Sequence, residues 1–253
     1  MITLQHIGSG NDQPPLYAIP GIDGAIGSFQ PIVERLATTR EVVVVDFARE
    51  TNATLDALAG EIASAIAAER PATLDVFGQS IGTILAAQVA SRHGLPVRRV
   101  VLVSTFTILR WKLLRIVALL TRLSPGFVYR LTAGLTVTLS CGPVGDGRRH
   151  PIFASARHAE KGGVARRTRW EVGRDFAADL GPVRSPLLIL MGAQDRFVPD
   201  AKREVRKLRA LFADHPVATV EVVPRAGHVF LPSAAIAAAA ARIESFLGAP
   251  EVP

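Results

Sequence analysis

From Pro14 onward, short runs of β-branched apolar residues alternate with longer stretches of helical period, and this alternation constrains the fold more than any other feature. The runs are Leu16 to Ile19, Glu41 to Asp46, Thr73 to Phe77, Arg99 to Ser104, Pro186 to Met191 and Ala218 to Val223. They are predominantly apolar, with several unbroken stretches such as Val42 to Val45, as strands buried on both faces require, so they predict a mostly parallel sheet covered by helices on each side. Helices are predicted at Phe29 to Ala37, Thr54 to Glu69, Ile81 to His93 and Ser233 to Leu247. In the second of these, Leu55, Leu58, Ala59, Ile62 and Ile66 keep the 3.6 period, and Thr54 is the expected N-cap.

The rhythm breaks between residues 107 and 180. Here Ile108 to Leu123 reads as a basic amphipathic helix, Cys141 to Gly147 as a loop, and Arg166 to Ala178 as a further helix. The expected architecture is therefore α/β, with residues 1–106 and 181–253 forming the core and 107–180 an α-helical cap inserted between two strands. Charge marks the same boundary. Residues 107–180 hold 13 Lys or Arg against 5 Asp or Glu, whereas the rest of the chain has 16 against 17, so the whole +7 excess lies in this segment. A neutral framework with one basic insertion argues against general nucleic-acid binding. Two readings of the insertion stay open: recognition of an anionic group, acidic carrier protein or lipid surface, or a solvated basic face.

Cys141 is the only cysteine, so no intramolecular disulfide can form and a reducing cytoplasm is expected. The first residues lack a basic segment followed by an apolar run, and so do not read as a secretory signal. The longest charge-free stretches, Val76 to Ser91 and Ala226 to Ala241, have 16 residues each and contain polar residues, too few to span a bilayer. No His, Cys, Asp or Glu cluster has metal-ligand spacing, so neither a metal nor a redox cofactor is expected.

Gly78-Gln79-Ser80-Ile81-Gly82 stands directly after a predicted strand and directly before a predicted helix. With 21 Gly and 12 Ser in 253 residues, chance supplies this pattern about 0.08 times per chain, before its context is required. So tight a turn needs small flanking residues, and it presents Ser80 on strained backbone at a helix N-terminus. A phosphate-binding loop would need the lysine of a P-loop, which is missing. Serine also needs a base to take its proton and a carboxylate to orient that base. Of six histidines, His228 follows the last strand at the edge where Ser80 emerges, whereas His6, His93, His150, His158 and His215 lie at the chain start, a helix end, the cap or a loop. Asp195 follows a strand at the same edge; Asp46 ends a different strand, and Asp200 lies five residues further on.

The order Ser80, Asp195, His228, with Gly192-Ala193-Gln194-Asp195 and Gly227-His228 around the last two, resembles the α/β-hydrolase family over nearly the whole chain. The resemblance implies that fold, a Ser-His-Asp triad and hydrolysis of an ester-like bond. It also implies an oxyanion hole from two backbone N–H groups, those of Ile81 and, in the turn Pro20-Gly21-Ile22-Asp23-Gly24, Ile22. Two positions depart from the family pattern: Pro20 replaces the usual histidine, and Thr83 stands where many relatives have a second glycine.

The expected function is cleavage of a carboxylic ester of an apolar acyl group. The alternative is a thioesterase or acyltransferase acting on acyl groups carried by coenzyme A or an acidic carrier protein, which the basic cap and the short N-terminal lead of about 15 residues would suit. A binding module on the same fold would be expected to lack a triad member. A peripheral lipase would use Ile108 to Leu123 at a membrane, but the preferred reading makes that helix the apolar roof of a pocket.

Overall fold

A computed structural model describes residues 2–8, 13–50, 54–109, 113–198 and 200–250. Seven strands, β1 (Thr3–Ile7), β2 (Leu16–Ile19), β3 (Val42–Asp46), β4 (Leu74–Gln79), β5 (Val97–Val103), β6 (Leu187–Gly192) and β7 (Ala218–Val223), form one sheet in the order β1-β3-β2-β4-β5-β6-β7. All neighbours are parallel except β1, which pairs antiparallel with β3.

The pleat explains the continuous apolar runs. Val43 and Val45, Val100 and Leu102, and Leu187, Ile189 and Met191 enter one core layer, while their neighbours Val42, Val44, Val101, Val103, Leu188 and Leu190 enter the other. The first layer is closed by α2 (Leu55–Ala68), α3 (Ile81–Arg92) and α9 (Ala201–Leu211), and the second by α1 (Gln30–Leu36) and α10 (Ser233–Leu247). Each fully buried Val or Leu contributes about 1.5–3 kcal/mol, so both faces are needed to hold so many strands together. Thr54 caps α2 as expected, its hydroxyl accepting from Ala57 N–H at 3.2 Å.

Between β5 and β6 the described chain is helical: α4 (Leu113–Leu123), α5 (Gly126–Cys141), α6 (Ile152–His158), α7 (Lys161–Glu171) and α8 (Ala177–Leu180). Glu204 of α9 pins the start of this segment by accepting from the Thr107 N–H and, at 2.5 Å, from its hydroxyl. The α4 to α8 segment also corrects three expectations. Ile108 and Leu109 are not helical but form bridges to Asp175 and Val172, while residues 110–112 lie outside the described residues. The helix expected over Arg166 to Ala178 is two helices parted at Gly173, where φ is +78°. The apolar stripe of α4 does not face inward as a roof: Ile116, Leu119, Leu120 and Leu123 are exposed.

Candidate active site

The C-terminal edge of the parallel strands, where α/β folds gather their ligands, brings the predicted site residues together. Ser80 leaves β4 with φ +55° and ψ −128°, a conformation rare for a residue with a Cβ, costing about 1–3 kcal/mol. Its glycine neighbours are required by contact. A Cβ on Gly78 would overlap the Gly82 carbonyl, and one on Gly82 would overlap the carbonyls of Ile19 and Pro20. The side chain of Thr83 holds the turn from below, its hydroxyl lying 2.6 Å from Ser80 O and 2.8 Å from Thr105 Oγ1. That bond explains the departure at Thr83: a glycine would leave the Ser80 carbonyl without it.

Asp195 lies three residues beyond β6 and His228 five beyond β7. The Asp195 Oδ1 accepts from the N–H groups of Phe197 (2.8 Å) and Val198 (3.0 Å), which leaves Oδ2 facing His228 Nδ1 at 2.8 Å. On the other side of the ring, His228 Nε2 lies 2.8 Å from Ser80 Oγ. The imidazole is further held by Phe197, whose ring centroid is 4.5 Å away, and the residue is anchored by its backbone N–H, which donates to Cys141 O at 2.6 Å. This last bond requires Gly227, because a Cβ there would overlap the Cys141 carbonyl. All three side chains are buried, with Ser80 5%, His228 4% and Asp195 8% exposed. Carboxylate, imidazole and hydroxyl in this relay can move the hydroxyl proton to Nε2 and stabilise the resulting imidazolium.

Ile81 is the first residue of α3, so its N–H has no acceptor within the helix. The turn carrying Ile22 lies against the serine: a Cβ on Gly21 would sit 3.3 Å from Ser80 Cβ and 2.7 Å from Gln79 Oε1. Within the turn, Gly24 N–H donates to Gly21 O at 3.0 Å.

What holds that turn was not legible in the sequence. Arg167, on α7 and fully buried, donates from Nε to Ile22 O (2.7 Å), from Nη2 to Asp23 O (3.3 Å) and from Nη1 to Glu50 Oε1 (3.0 Å). Ser155 of α6 adds a bond from its hydroxyl to Asp23 Oδ2 at 2.7 Å. The helices between β5 and β6 therefore grip the turn at two points. Burial pushes the Asp23 carboxyl up to about 6, although Ser155 and Arg167 oppose the shift.

Glu171 ends α7 one turn beyond Arg167, completely buried, with neither carboxylate oxygen hydrogen-bonded. Burial pushes it up to about 8, only partly opposed by Arg167. Because the folded value exceeds the ordinary 4.5, this group's contribution to stability is complete below pH 4.5 and is lost as pH rises through about 8. Glu171→Gln has no proton to lose. Thermal melts across that interval should show the wild type falling several degrees relative to the variant as pH rises; parallel curves would mean that folding does not raise the Glu171 value.

Among the described residues, no group of three or more His, Cys, Asp or Glu is placed to hold a metal ion, and no helix is long and apolar enough to cross a membrane.

A model described as the alpha/beta hydrolase family matches residues 18–242. No curated protein matches the chain. Among solved structures it is similar to the enol-lactonase from Burkholderia xenovorans LB400, with a TM-score of 0.79, 19% identity, and 98% of this chain and 96% of that one covered. It is similar to the esterase from Exiguobacterium antarcticum, with a TM-score of 0.79, 16% identity and coverage of 98% and 96%. It is also similar to the bromoperoxidase from Bacillus anthracis, with a TM-score of 0.79, 16% identity and coverage of 98% and 95%.

Proposed function

The chain belongs to the alpha/beta hydrolase family, and from that premise we propose that it cleaves carboxylic esters of apolar acyl groups through Ser80, His228 and Asp195. The observation that carries this reading is the unbroken relay from Asp195 Oδ2 to His228 Nδ1 and from His228 Nε2 to Ser80 Oγ, both steps at 2.8 Å. His228 takes the hydroxyl proton as Ser80 Oγ bonds to the acyl carbon, and the carbonyl electron pair moves onto oxygen. The N–H groups of Ile22 and Ile81 receive that negative charge. When the tetrahedral centre collapses, the ester C–O bond breaks and His228 passes its proton to the leaving alkoxide. A water, deprotonated by the same imidazole, then releases the acid and restores the serine.

Arg167 is a positioning residue in this scheme. By engaging the carbonyls of Ile22 and Asp23 it anchors the two peptide planes that follow Ile22, and with the Gly24 N–H bonded to Gly21 O, in the plane that carries the Ile22 N–H, it holds the turn in the shape that aims that donor. Residues 107–180 act as the cap over the core formed by 1–106 and 181–253. The Phe197 ring packs against the His228 imidazole with centroids 4.5 Å apart, an apolar neighbour of the relay that suits an apolar acyl group. The enol-lactonase and the esterase among the similar structures are named for chemistry on carboxylic esters, which agrees with this reading. Cys141 is buried and free, as suits a cytoplasmic enzyme.

The experiment is a panel of p-nitrophenyl esters of increasing chain length set against the matching acyl thioesters of coenzyme A. The expected result is turnover of the oxygen esters with kcat/KM at least about tenfold above the thioesters. The reverse preference would move the assignment to a thioesterase or acyltransferase.

A further inference from the structure

Nine of the ten large hydrophobic residues exposed among the described positions lie on α4 and α5; the tenth is Val222. On α5, Phe127, Leu131, Leu135 and Leu139 recur every fourth residue, with Leu131 81% and Phe127 72% exposed. The opposite side of that helix buries Ala133, Val137 and Cys141, and α5 packs against α6. On α4, Ile116, Leu119, Leu120 and Leu123 form the outward stripe while Ala118 is buried behind them, and α4 packs against α7. Single exposed leucines are ordinary, but two helices joined through Ser124-Pro125 that both turn apolar ridges to the outside mark an interaction surface.

Charge and hydrogen bonding narrow the occupant. From Thr107 to Gly145 the sequence has five basic residues, Arg110, Lys112, Arg115, Arg122 and Arg130, and no Asp or Glu. A second copy of the chain, meeting this face by two-fold symmetry, would set Arg115 and Arg122 against a surface whose two helices hold no Asp or Glu to pair with them. The exposed threonines of α5 offer a partner little: Thr132, Thr136 and Thr138 return their hydroxyls to the helix carbonyls of Val128 (2.9 Å), Thr132 (3.2 Å) and Gly134 (3.0 Å). A protein interface of useful size carries about one hydrogen bond per 100–200 Å², whereas hydroxyls folded back onto their own helix suit an apolar medium. Apolar ridges, internally satisfied hydroxyls and two helices that carry arginines but no Asp or Glu together match the boundary between lipid headgroups and acyl chains.

We propose that the outer face of α4 and α5 docks on anionic lipid bilayers, with the leucine and phenylalanine side chains entering the headgroup boundary and the exposed Arg115 and Arg122, four residues before and three after Leu119 on the flank of the α4 stripe, meeting the lipid phosphates. The docking is independent of the ester-cleaving reading, because it is measured without turnover.

The test is cosedimentation of the full chain with vesicles of equimolar phosphatidylglycerol and phosphatidylcholine, compared with phosphatidylcholine alone. The protein should pellet with the anionic vesicles only, and added salt should release it. Arg115→Glu and Arg122→Glu should each weaken partitioning about fivefold or more, since one basic residue near an anionic surface contributes about 1 kcal/mol. The doubly substituted Leu131→Glu, Leu135→Glu protein should stay in the supernatant with an unchanged melting temperature, because both side chains are exposed. Four results would each overturn the proposal: failure of the folded wild type to pellet, equal pelleting with both vesicles, pelleting that survives the leucine substitutions, or a dimer in solution that those substitutions dissolve. Leucine-dependent capture by an acidic acyl carrier protein without vesicle binding would also overturn it, and would assign the face to that carrier.

Discussion

Ser80→Ala should lower kcat/KM on the best ester of the panel by at least about 10³-fold while the protein stays folded. The size follows from the role: the serine oxygen is the only protein atom that bonds to the acyl carbon, so the N–H groups of Ile22 and Ile81 can recover only a remainder. The folding half follows from the turn. Its shape is enforced by Gly78, Gly82 and the Thr83 hydroxyl, none of which the substitution touches, and alanine meets the same φ of +55° as serine. The melting temperature should stay within a few degrees of the wild type. Residual activity near the wild-type level would remove Ser80 from the nucleophile's place, however good its geometry.

The second large effect is expected at a residue that never touches the substrate. Arg167→Met frees the carbonyls of Ile22 and Asp23 and strips Glu50 of a buried ion-pair partner, while the contact from Arg166 to Glu50 at 2.9 Å is kept. Loss of one aligned oxyanion donor costs about 10²–10³ in kcat, with little change in KM. Loss of one member of a buried ion pair costs about 3–5 kcal/mol of stability, and the remaining Arg166 contact places this case near the lower end. Arg167→Lys separates the two. A lysine keeps a cation for Glu50 but cannot reproduce the guanidinium fork, so stability should largely return while kcat stays low. Recovery of kcat together with stability would make Arg167 a packing and charge residue without a part in aligning the turn.

The difference between Ser80 and Arg167 also shows what could be read before the fold was known. The sheet was legible because strands buried on both faces have no polar positions to confuse the period, as in Val42 to Val45 or Leu187 to Leu190. Strand β1 was not, since Thr3–Ile7 is a partly exposed edge strand whose mixed polarity carries no such run, and it is identified by its antiparallel pairing with β3. Ser80, Asp195 and His228 stood out because each follows a strand at one edge, and the structure places them in contact. Arg167 carried no local signal: it is one of 13 basic residues in its segment, and its partners lie more than a hundred residues away in the chain. The direction of the α4 stripe was beyond periodicity as well. A helix with an apolar face toward a pocket and one with an apolar face toward the outside have the same spacing, and only the packing of Ala118 decides between them.

The central claim is that Ser80 is activated by His228, and intact mass spectrometry after treatment with a fluorophosphonate tests it most directly. The fluoride leaves as the serine oxygen bonds to phosphorus, so an activated hydroxyl is recorded as a permanent mass increase without any assumption about the natural substrate. One adduct is expected on the wild type and none on Ser80→Ala. An unmodified wild type, verified as folded, or an adduct that persists in Ser80→Ala, would contradict it.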